Sequence, residues 1–296
     1  MRRKTFAEQL AELKSAGYRL PDAQAKVAHD AVLYAMHKCG FKKNGTIKGG
    51  VVMCEITKDV RRTTMDLDMD FIRYSISERS IRRFVARLAK ASGYRISIFG
   101  TIAELKQDDY RGKRMFLSVS DGSVKNPLMT KVDVGVHARR EIPQVECAFA
   151  ALAGESDKTL LANSKEQIFT EKLLSLLRHG FLSTRGKDIY DMFYLMDKMN
   201  LRRLRGLVTT LVTQNRKCPI REPESIVEFI AEVFGNRRFV RMLSSPDSNW
   251  LQVPVQKATS ELLGFIARVL KFRSPPVRTQ GKHRGRFPVK PPRRSR

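Results

Sequence analysis

The sequence lacks the features of a secreted or membrane-spanning protein. No apolar run approaches the ~18 residues that a membrane-spanning helix needs, and residues 1–8 are basic without the apolar segment of a signal peptide. The four cysteines are scattered and form no Cys-x-x-Cys pair, which is typical of reduced thiols rather than of disulfides or zinc sites. We therefore expect a cytoplasmic protein without a membrane partner.

Several catalytic chemistries find no support in the sequence either. There is no Gly-x-Ser-x-Gly motif and no Walker-type lysine loop, which leaves a catalytic serine and a P-loop without a basis. The five histidines have no ligand spacing on a common helix face, which argues against a zinc enzyme. Aromatic residues are sparse near the basic runs, so the sequence predicts no base-stacking platform.

Acidic residues are scarce relative to basic ones. The 296-residue chain has 56 Lys and Arg against 30 Asp and Glu, a formal net charge of +26. Such an excess favours a polyanionic partner, most often a nucleic acid, with a membrane surface as the second option. A helix expected between Ser75 and Ser92 carries part of this charge on its exposed face, at Arg79, Arg82, Arg83, Arg87 and Lys90.

The order of elements predicts an α+β fold, with a mixed sheet and flanking helices followed by a helical part. Strands are expected at 94–102, 114–119 and 129–136. Amphipathic helices are expected in the second half, at 201–214, 223–243 and 256–272. We therefore place a mixed α/β domain at 1–155 and a helical domain at 156–272.

The segment 273–296 contains Pro, Gly, Lys and Arg but no acidic residue. It cannot bury enough apolar area to offset the entropy of ordering, which predicts a disordered basic tail. Such tails are typical of nucleic-acid-binding proteins. A purely solubilising tail is an equally good interpretation.

Three carboxylates, Asp66, Asp68 and Asp70, alternate with apolar residues in the run Asp66–Phe71. Alternate side chains of a strand share one face, so the three acids would project together. Like charges this close need a cation between them, and Mg²⁺ bound by carboxylates and phosphate oxygens is the common solution. A solvated strand edge is the alternative interpretation.

Nucleotidyl transfer requires further parts that the sequence also offers. The pair Gly49-Gly50 would let the backbone approach a phosphate closely. On a later strand Lys131 and Asp133 share a face, and Asp133 could supply a third carboxylate. Taken alone, the glycines could form only a turn, and Lys131 with Asp133 could be a surface ion pair.

The second half contains one dense charged cluster, formed by Glu171-Lys172 and the run 185–191. On a helix, Arg185, Asp188 and Asp191 stand at i, i+3 and i+6 along one face. A cationic clamp on nucleotide phosphates, oriented by acids, is one interpretation. A solvated network between two helices is the other.

These motifs occur in one order along the chain: Lys48-Gly49-Gly50, Arg62-x-Thr64-x-Asp66-x-Asp68, Lys131-x-Asp133, Glu171-Lys172 and Arg185-x-Lys187-Asp188-x-x-Asp191. The ordered set, within residues 47–195, resembles the AbiEii/AbiGii toxin family of nucleotidyltransferases. The resemblance implies a polymerase-β-like nucleotidyltransferase core with a helical second domain, and use of a nucleoside triphosphate with Mg²⁺. It also implies toxicity by modification of an RNA, with tRNA as acceptor for some members, and a cognate antitoxin.

The resemblance also implies roles for individual residues. Asp66 and Asp68 would ligate Mg²⁺, and Asp133 would be the third metal ligand or the general base. Asp188 and Asp191 would complete the catalytic acidic cluster. The nucleotide-binding residues would be Lys48, Gly49, Gly50, Arg62, Thr64, Lys131, Lys172, Arg185 and Lys187.

The chain departs from the family pattern at a few positions. Asp133 stands where many members have the longer Glu, which leaves its role open between metal ligand and base. Residues 51–54 are Val-Val-Met-Cys, where the family favours a small hydroxyl residue or alanine and then leucine. Asp70 is an acid that the pattern does not require, and we expect it at the surface.

The leading hypothesis is a Mg²⁺-dependent toxin of a toxin–antitoxin or abortive-infection pair. It would transfer a nucleoside monophosphate from a triphosphate to an RNA acceptor, with tRNA as the first candidate, and release pyrophosphate. One alternative keeps the enzyme but gives it a protein or small-molecule acceptor. Another is a non-catalytic nucleic-acid-binding protein on the same fold.

Overall fold

A computed structural model of the chain describes residues 3–107, 110–137, 139, 141–155 and 159–271. The basic tail predicted at 273–296 lies outside the described residues. Among the helices of the described residues, none combines the length and the apolar character that crossing a membrane requires.

The first half of the chain contains helices α1 (Phe6–Ser15), α2 (Leu20–Lys38), α3 (Gly49–Thr57) and α4 (Glu78–Ser92). Local sequence explains several of their ends. Thr5 and Glu8 form a capping box at the start of α1. The Ser77 hydroxyl accepts the Ser80 N–H at the start of α4, and Gly93 ends that helix in the left-handed conformation.

Seven strands form one mixed sheet: β1 (Gly45–Ile47), β2 (Asp66–Phe71), β3 (Arg95–Gln107), β4 (Tyr110–Ser120), β5 (Leu128–Val136), β6 (Val145–Ala148) and β7 (Thr159–Ala162). Their order across the sheet is β3-β4-β5-β2-β1-β7-β6. Strand β2 lies parallel to β5 and antiparallel to β1, while β1 is parallel to β7. The acid-bearing strand β2 is therefore central.

The second half is helical, with α5 (Lys165–His179), α6 (Gly186–Leu195), α7 (Leu201–Val208), α8 (Pro223–Gly235), α9 (Arg237–Leu243) and α10 (Val255–Leu270). These elements and the sheet confirm the predicted α+β class. Strand β7 pairs with β1 although it follows residue 155. One continuous hydrophobic core extends from Phe6 in α1 to Leu270 in α10, and the boundary near residue 155 stays a prediction.

The two faces of the sheet differ at its β3-β4-β5 end. On β4, Met115, Leu117 and Val119 are buried in the core shared with α2 and α4. The residues between them point the other way, and Phe116 is 43% exposed. The helices therefore cover one face of this region and leave the opposite face open beside β2.

Candidate active site

The predicted acids of β2 and β5 meet in the sheet. The parallel register places Asp66 opposite Lys131 and Asp68 opposite Asp133. Between the two acids of β2, Leu67 is fully buried, as the alternation requires. The structure thus brings the predicted carboxylates of two strands, 65 positions apart, to one face of the sheet.

The glycine pair holds the start of α3 against β2. Gly49 has φ +57°, and a Cβ there would lie 2.9 Å from Asp68 Oδ2. A Cβ on Gly50 would lie 2.5 Å from Thr64 Oγ1. Backbone pairing completes the contact, because the Lys48 N–H donates to the Asp68 carbonyl at 2.9 Å. Only glycines allow the helix to begin this close to the acids.

The N-terminus of α3 has no side-chain cap. Lys48 occupies the cap position, and its side chain makes no capping hydrogen bond. The first backbone N–H groups of a helix lack intrahelical partners and attract anions. These groups lie beside Asp68, so an oxyanion there would sit close to the carboxylates of β2.

Negative charge accumulates at Asp68. Burial, followed by the charges of Asp133 and Asp66, raises the pKa of Asp68 to about 6, against the opposing effect of Lys48 and Arg185. Burial and the neighbouring acids therefore disfavour the ionised form of Asp68, and a bound divalent cation would favour it.

Basic side chains bind the other two acids. Lys131 Nζ lies 2.7 Å from Asp66 Oδ2, and the Asp66 side chain remains 40% exposed. Arg114, directly opposite Asp133 on β4, donates from Nε and from a terminal nitrogen to both oxygens of Asp133, at 2.8 Å each. Asp66, at 40% exposure, is therefore more accessible than Asp133, at 16%, and it shares its strand face with the half-buried Asp68.

The donor set of this pair fits Mg²⁺. Mg²⁺ sites commonly use one or two carboxylates and complete their coordination with waters and substrate phosphates, and Asp66 and Asp68 supply two carboxylates. Within the described residues, no group of three or more His, Cys, Asp or Glu side chains is arranged to hold a metal ion. Asp133, whose oxygens are bound by Arg114, stays a predicted third ligand or base.

The predicted cluster of the second half is organised around Asp191, which is fully buried. Arg62 donates from Nε and a terminal nitrogen to the two Asp191 oxygens, at 2.6 and 2.7 Å. Lys172 Nζ lies 2.9 Å from Oδ2, and Trp250 Nε1 donates to Oδ1 at 3.1 Å. Burial alone would raise the pKa of Asp191, but Arg62 and Lys172 lower it to about 2.

Asp188 links the buried network to the open site. It pairs with buried Lys172 and with Arg185, whose Nε lies 2.7 Å from Asp188 Oδ2. The Arg185 side chain is 58% exposed. Lys187 donates to the Thr63 carbonyl at 3.2 Å. Of the three predicted phosphate-binding cations in this half, Arg185 is exposed, Lys187 is half-buried and Lys172 is buried.

Asp70 differs from the prediction, because it is buried at 5% exposure rather than lying at the surface. It forms an ion pair with Lys48 Nζ at 3.1 Å. Burial opposes the charged form of Lys48, but Glu171 and Asp70 outweigh it and raise the pKa of this lysine. Asp70, the acid that the family pattern does not require, therefore holds Lys48 beside the glycine pair.

Sequence reasoning missed two residues that complete the site. Arg114 belongs to no motif, and only the register of β4 with β5 reveals that it faces Asp133. Trp250, the single tryptophan of the chain, contacts Asp191 from 59 positions away. No local pattern contains a signal for either contact.

Paired acids on a central strand, beside a helix that starts on a glycine pair, suit the chemistry of nucleotidyl transfer. The chain belongs to the AbiEii toxin family: the model described as nucleotidyl transferase AbiEii toxin, type IV TA system, matches residues 31–252. This match confirms the family and the enzyme class predicted from the motifs.

The structurally similar proteins have low sequence identity to the chain. JHP933 from Helicobacter pylori is 16% identical with a TM-score of 0.46, covering 84% of this chain and 92% of its own. A second Helicobacter pylori structure is 15% identical (TM-score 0.45, 83% and 94% covered). An antigenic nucleotidyltransferase-like protein from Paracoccidioides brasiliensis is 14% identical (TM-score 0.39, 72% and 91% covered). Among curated proteins, none matches the chain.

Proposed function

We propose that this family member transfers a nucleoside monophosphate from a triphosphate to an RNA acceptor, with tRNA as the first candidate, and releases pyrophosphate. The observation that carries the proposal is the placement of Asp66 and Asp68 against the uncapped start of α3, with Lys131 and Arg185 beside them. In this proposal the protein acts in the cytoplasm as the toxin of a pair with a cognate antitoxin.

Asp66 and Asp68 would hold Mg²⁺ in this reaction. When bound, the metal neutralises charge on the triphosphate and polarises the phosphorus that is attacked. The raised pKa of Asp68 supports this assignment, since a site built for a cation carries surplus negative charge without one.

The triphosphate would bind between two helix starts. The free N–H groups of α3 suit phosphate oxygens, and Gly49 and Gly50 leave room for a close approach. Arg185, exposed and held in place through Asp188, would contact the phosphates from the helical half. Lys131 would do so from β5, exchanging its partner Asp66 for phosphate.

The acceptor hydroxyl would attack the α-phosphorus as the bond to pyrophosphate breaks. We assign its proton to Asp133, which lies opposite Asp68 on the neighbouring strand. Arg114 holds both oxygens of this carboxylate, so Arg114 would orient Asp133 toward the acceptor.

We propose positioning roles for Arg62, Lys172, Asp188 and Asp191 in place of direct contact with the nucleotide. Arg62 and Asp191 are 4% and 0% exposed and satisfy each other. Their network fixes the start of α6, and with it Arg185, relative to the residues that lead into β2. Because Asp191 is buried and paired with Arg62, we propose that it positions Arg185 and takes no part in the chemical step.

The test incubates the purified protein with Mg²⁺, total RNA and each common ribonucleoside triphosphate labelled at the α-phosphate. We expect label in RNA, with tRNA as the first product to check, and none with the double variant Asp66→Ala/Asp68→Ala. Absence of transfer with every triphosphate would overturn the proposal. Label in a protein extract but not in RNA would instead support a protein acceptor.

A further inference from the structure

The open face of the sheet carries two large aromatic side chains in water. Phe99 on β3 is 65% exposed and Phe116 on β4 is 43% exposed. The antiparallel register places them directly opposite each other. Adjacent exposed rings of this size mark interaction surfaces more often than chance, because their solvation is unfavourable.

These rings lie in one row with the active site. Phe116 is opposite Lys131 on β5, and Lys131 is opposite Asp66 on β2. Neighbouring strands are ~4.8 Å apart, so Phe116 lies about 10 Å and Phe99 about 15 Å from Asp66 along the row. A single strand of nucleic acid whose 3′ end reaches Asp66 would pass over both rings within its next few nucleotides.

The same face is positively charged around the rings. Strand alternation puts Arg95 and Arg114 on this face together with Phe99 and Phe116. Arg114 is 39% exposed. No acidic residue occurs in 95–99 or 114–120, so the charged side chains that these strand segments place beside the rings are all basic.

We propose that the open sheet face, defined by Phe99, Phe116, Arg95 and Arg114, binds the single-stranded 3′ end of the acceptor RNA. Bases stack on the two rings, and the arginines contact the phosphates between them. The inference rests on the proposed function, since it supplies the acceptor path for that reaction. It favours an acceptor with a protruding, unpaired end over one with a fully base-paired end.

The test measures binding without catalysis. A short single-stranded RNA with a 5′ fluorophore and a free 3′ hydroxyl is titrated with the protein, without nucleotide, and followed by anisotropy. Loss of stacking on one ring weakens binding by roughly fivefold or more. We expect this for Phe99→Ala and Phe116→Ala separately, a larger loss for the double variant, and recovery with Phe116→Trp.

A matched control comes from the other half of the chain. Phe181, in the turn Gly180–Leu182, is 50% exposed, so Phe181→Ala removes a comparable ring at a distance from the sheet. This variant should bind the RNA like the unmodified protein. Wild-type affinity in both sheet variants, or an equal loss in the Phe181 variant, would overturn the inference.

The outcome separates this inference from the proposed function. If RNA labelling occurs and the sheet variants raise the KM for RNA without changing the KM for the triphosphate, both stand. If RNA labelling occurs and the sheet variants leave the KM for RNA unchanged, only the inference fails. If the protein transfers nothing but the rings still determine RNA affinity, the proposed function fails and the inference stands. If the variants impair only a protein acceptor, the surface binds protein and the inference fails.

Discussion

Arg62 and Asp191, 129 positions apart, form a two-point ion pair that is almost completely buried. The pair joins the segment that leads into β2 to helix α6, and thus the acids to the exposed Arg185. Removing one partner of a buried pair leaves the other charge unpaired in the core, which is far more costly than losing a surface pair.

We expect Asp191→Asn to destabilise the protein by about 3–5 kcal/mol, since it leaves the buried Arg62 guanidinium without its carboxylate and leaves Lys172 only its pair with Asp188. Urea unfolding followed by circular dichroism measures the change. Arg82→Ala serves as the control, because Arg82 pairs with Glu78 across one exposed helical turn and its loss should cost about 0.5 kcal/mol or less. Similar losses in the two variants would contradict the structural role of the buried pair.

Asp68→Asn should stabilise the metal-free protein at neutral pH. The pKa of Asp68 is raised from 3.8 to about 6, so its ionised form opposes folding above pH 6, by up to about 3 kcal/mol. Below pH 3.8 both states are protonated and the advantage of the variant disappears.

Urea unfolding at neutral pH measures this difference in stability between Asp68→Asn and the unmodified protein. Repeating the measurement with Mg²⁺ tests the metal assignment. Mg²⁺ should stabilise the unmodified protein through binding and leave Asp68→Asn nearly unchanged. The difference in free energy of unfolding between the two proteins should therefore shrink or change sign. Asp197→Asn, at an exposed residue of the turn Met196–Lys198, is the control and should shift stability by less than about 0.5 kcal/mol. An identical Mg²⁺ response in all three proteins would contradict a metal site at Asp68.

Gly50→Ala should destabilise the start of α3. The added methyl group would overlap Thr64, whose Oγ1 and Cβ lie 2.5 and 2.7 Å from the Cβ position, and overpacking of this kind costs about 1–3 kcal/mol. The second change Thr64→Gly removes the obstructing atoms and should recover part of the loss.

Gly206 gives the matched control for this substitution. It lies inside α7, and an added Cβ meets nothing within 4 Å, so Gly206→Ala should stabilise the protein by about 0.5–1 kcal/mol through helix propensity. Thermal unfolding followed by circular dichroism distinguishes the two directions. Stabilisation by both alanines would show that the helix start tolerates a side chain.

His29 should make stability depend on pH. It is 3% exposed in α2, and its Nε2 has no hydrogen-bond partner in the part of the chain that the structure describes. Burial, together with the charge of Lys26 and against that of Asp30, lowers the pKa of His29 to about 4. Between pH 6.5 and 4 the unfolded chain therefore binds a proton that the folded protein does not.

Neutral His29 therefore does not reduce the free energy of unfolding above pH 6.5. As the pH falls from 6.5 to 4, that free energy decreases by up to about 3 kcal/mol because of His29. Denaturant unfolding at pH 7 and pH 4.5 should show a smaller drop for His29→Leu than for the unmodified protein. Asp68 acts with the opposite sign between pH 6 and 3.8 and cancels in the comparison, since both proteins contain it. An equal drop in the two would contradict a neutral, buried His29.

The strands that carry the site were predictable from local pattern. Alternation in Asp66–Phe71 and 129–136 predicts β2 and β5 nearly to the residue, while Gly49-Gly50 left a turn open where the structure has the start of α3. These patterns are local consequences of the two-residue period of a strand and of glycine's freedom, so a single sequence reveals them.

Element ends were less predictable where side chains compete to cap a helix. The helix predicted at 223–243 is two helices, because the Asn236 side chain accepts the N–H groups of Arg238 and Phe239 and starts α9 anew. Similarly, the helix expected from Ser75 begins at Glu78, because Ser77 caps it. Alternative helix starts a few residues apart differ by less free energy than tertiary packing supplies.

The partners across the sheet could not be predicted at all. Arg114 opposite Asp133 and Phe99 opposite Phe116 depend on the register of β3, β4 and β5, which a shift of one residue would reverse. The sequence suggested no base-stacking platform for the same reason, since two isolated phenylalanines become neighbours only after strand pairing.

The ion pair between Arg62 and Asp191 also has a consequence during synthesis. During translation, the sheet residues Asp66, Asp68 and Asp133 emerge from the ribosome long before Asp191. Until Asp191 emerges, the Arg62 guanidinium cannot form its buried ion pair. A chain interrupted before α6 also lacks Arg185. Unfinished chains therefore hold the acids and Lys131 but lack the arginine that we propose contacts the phosphates from the helical half.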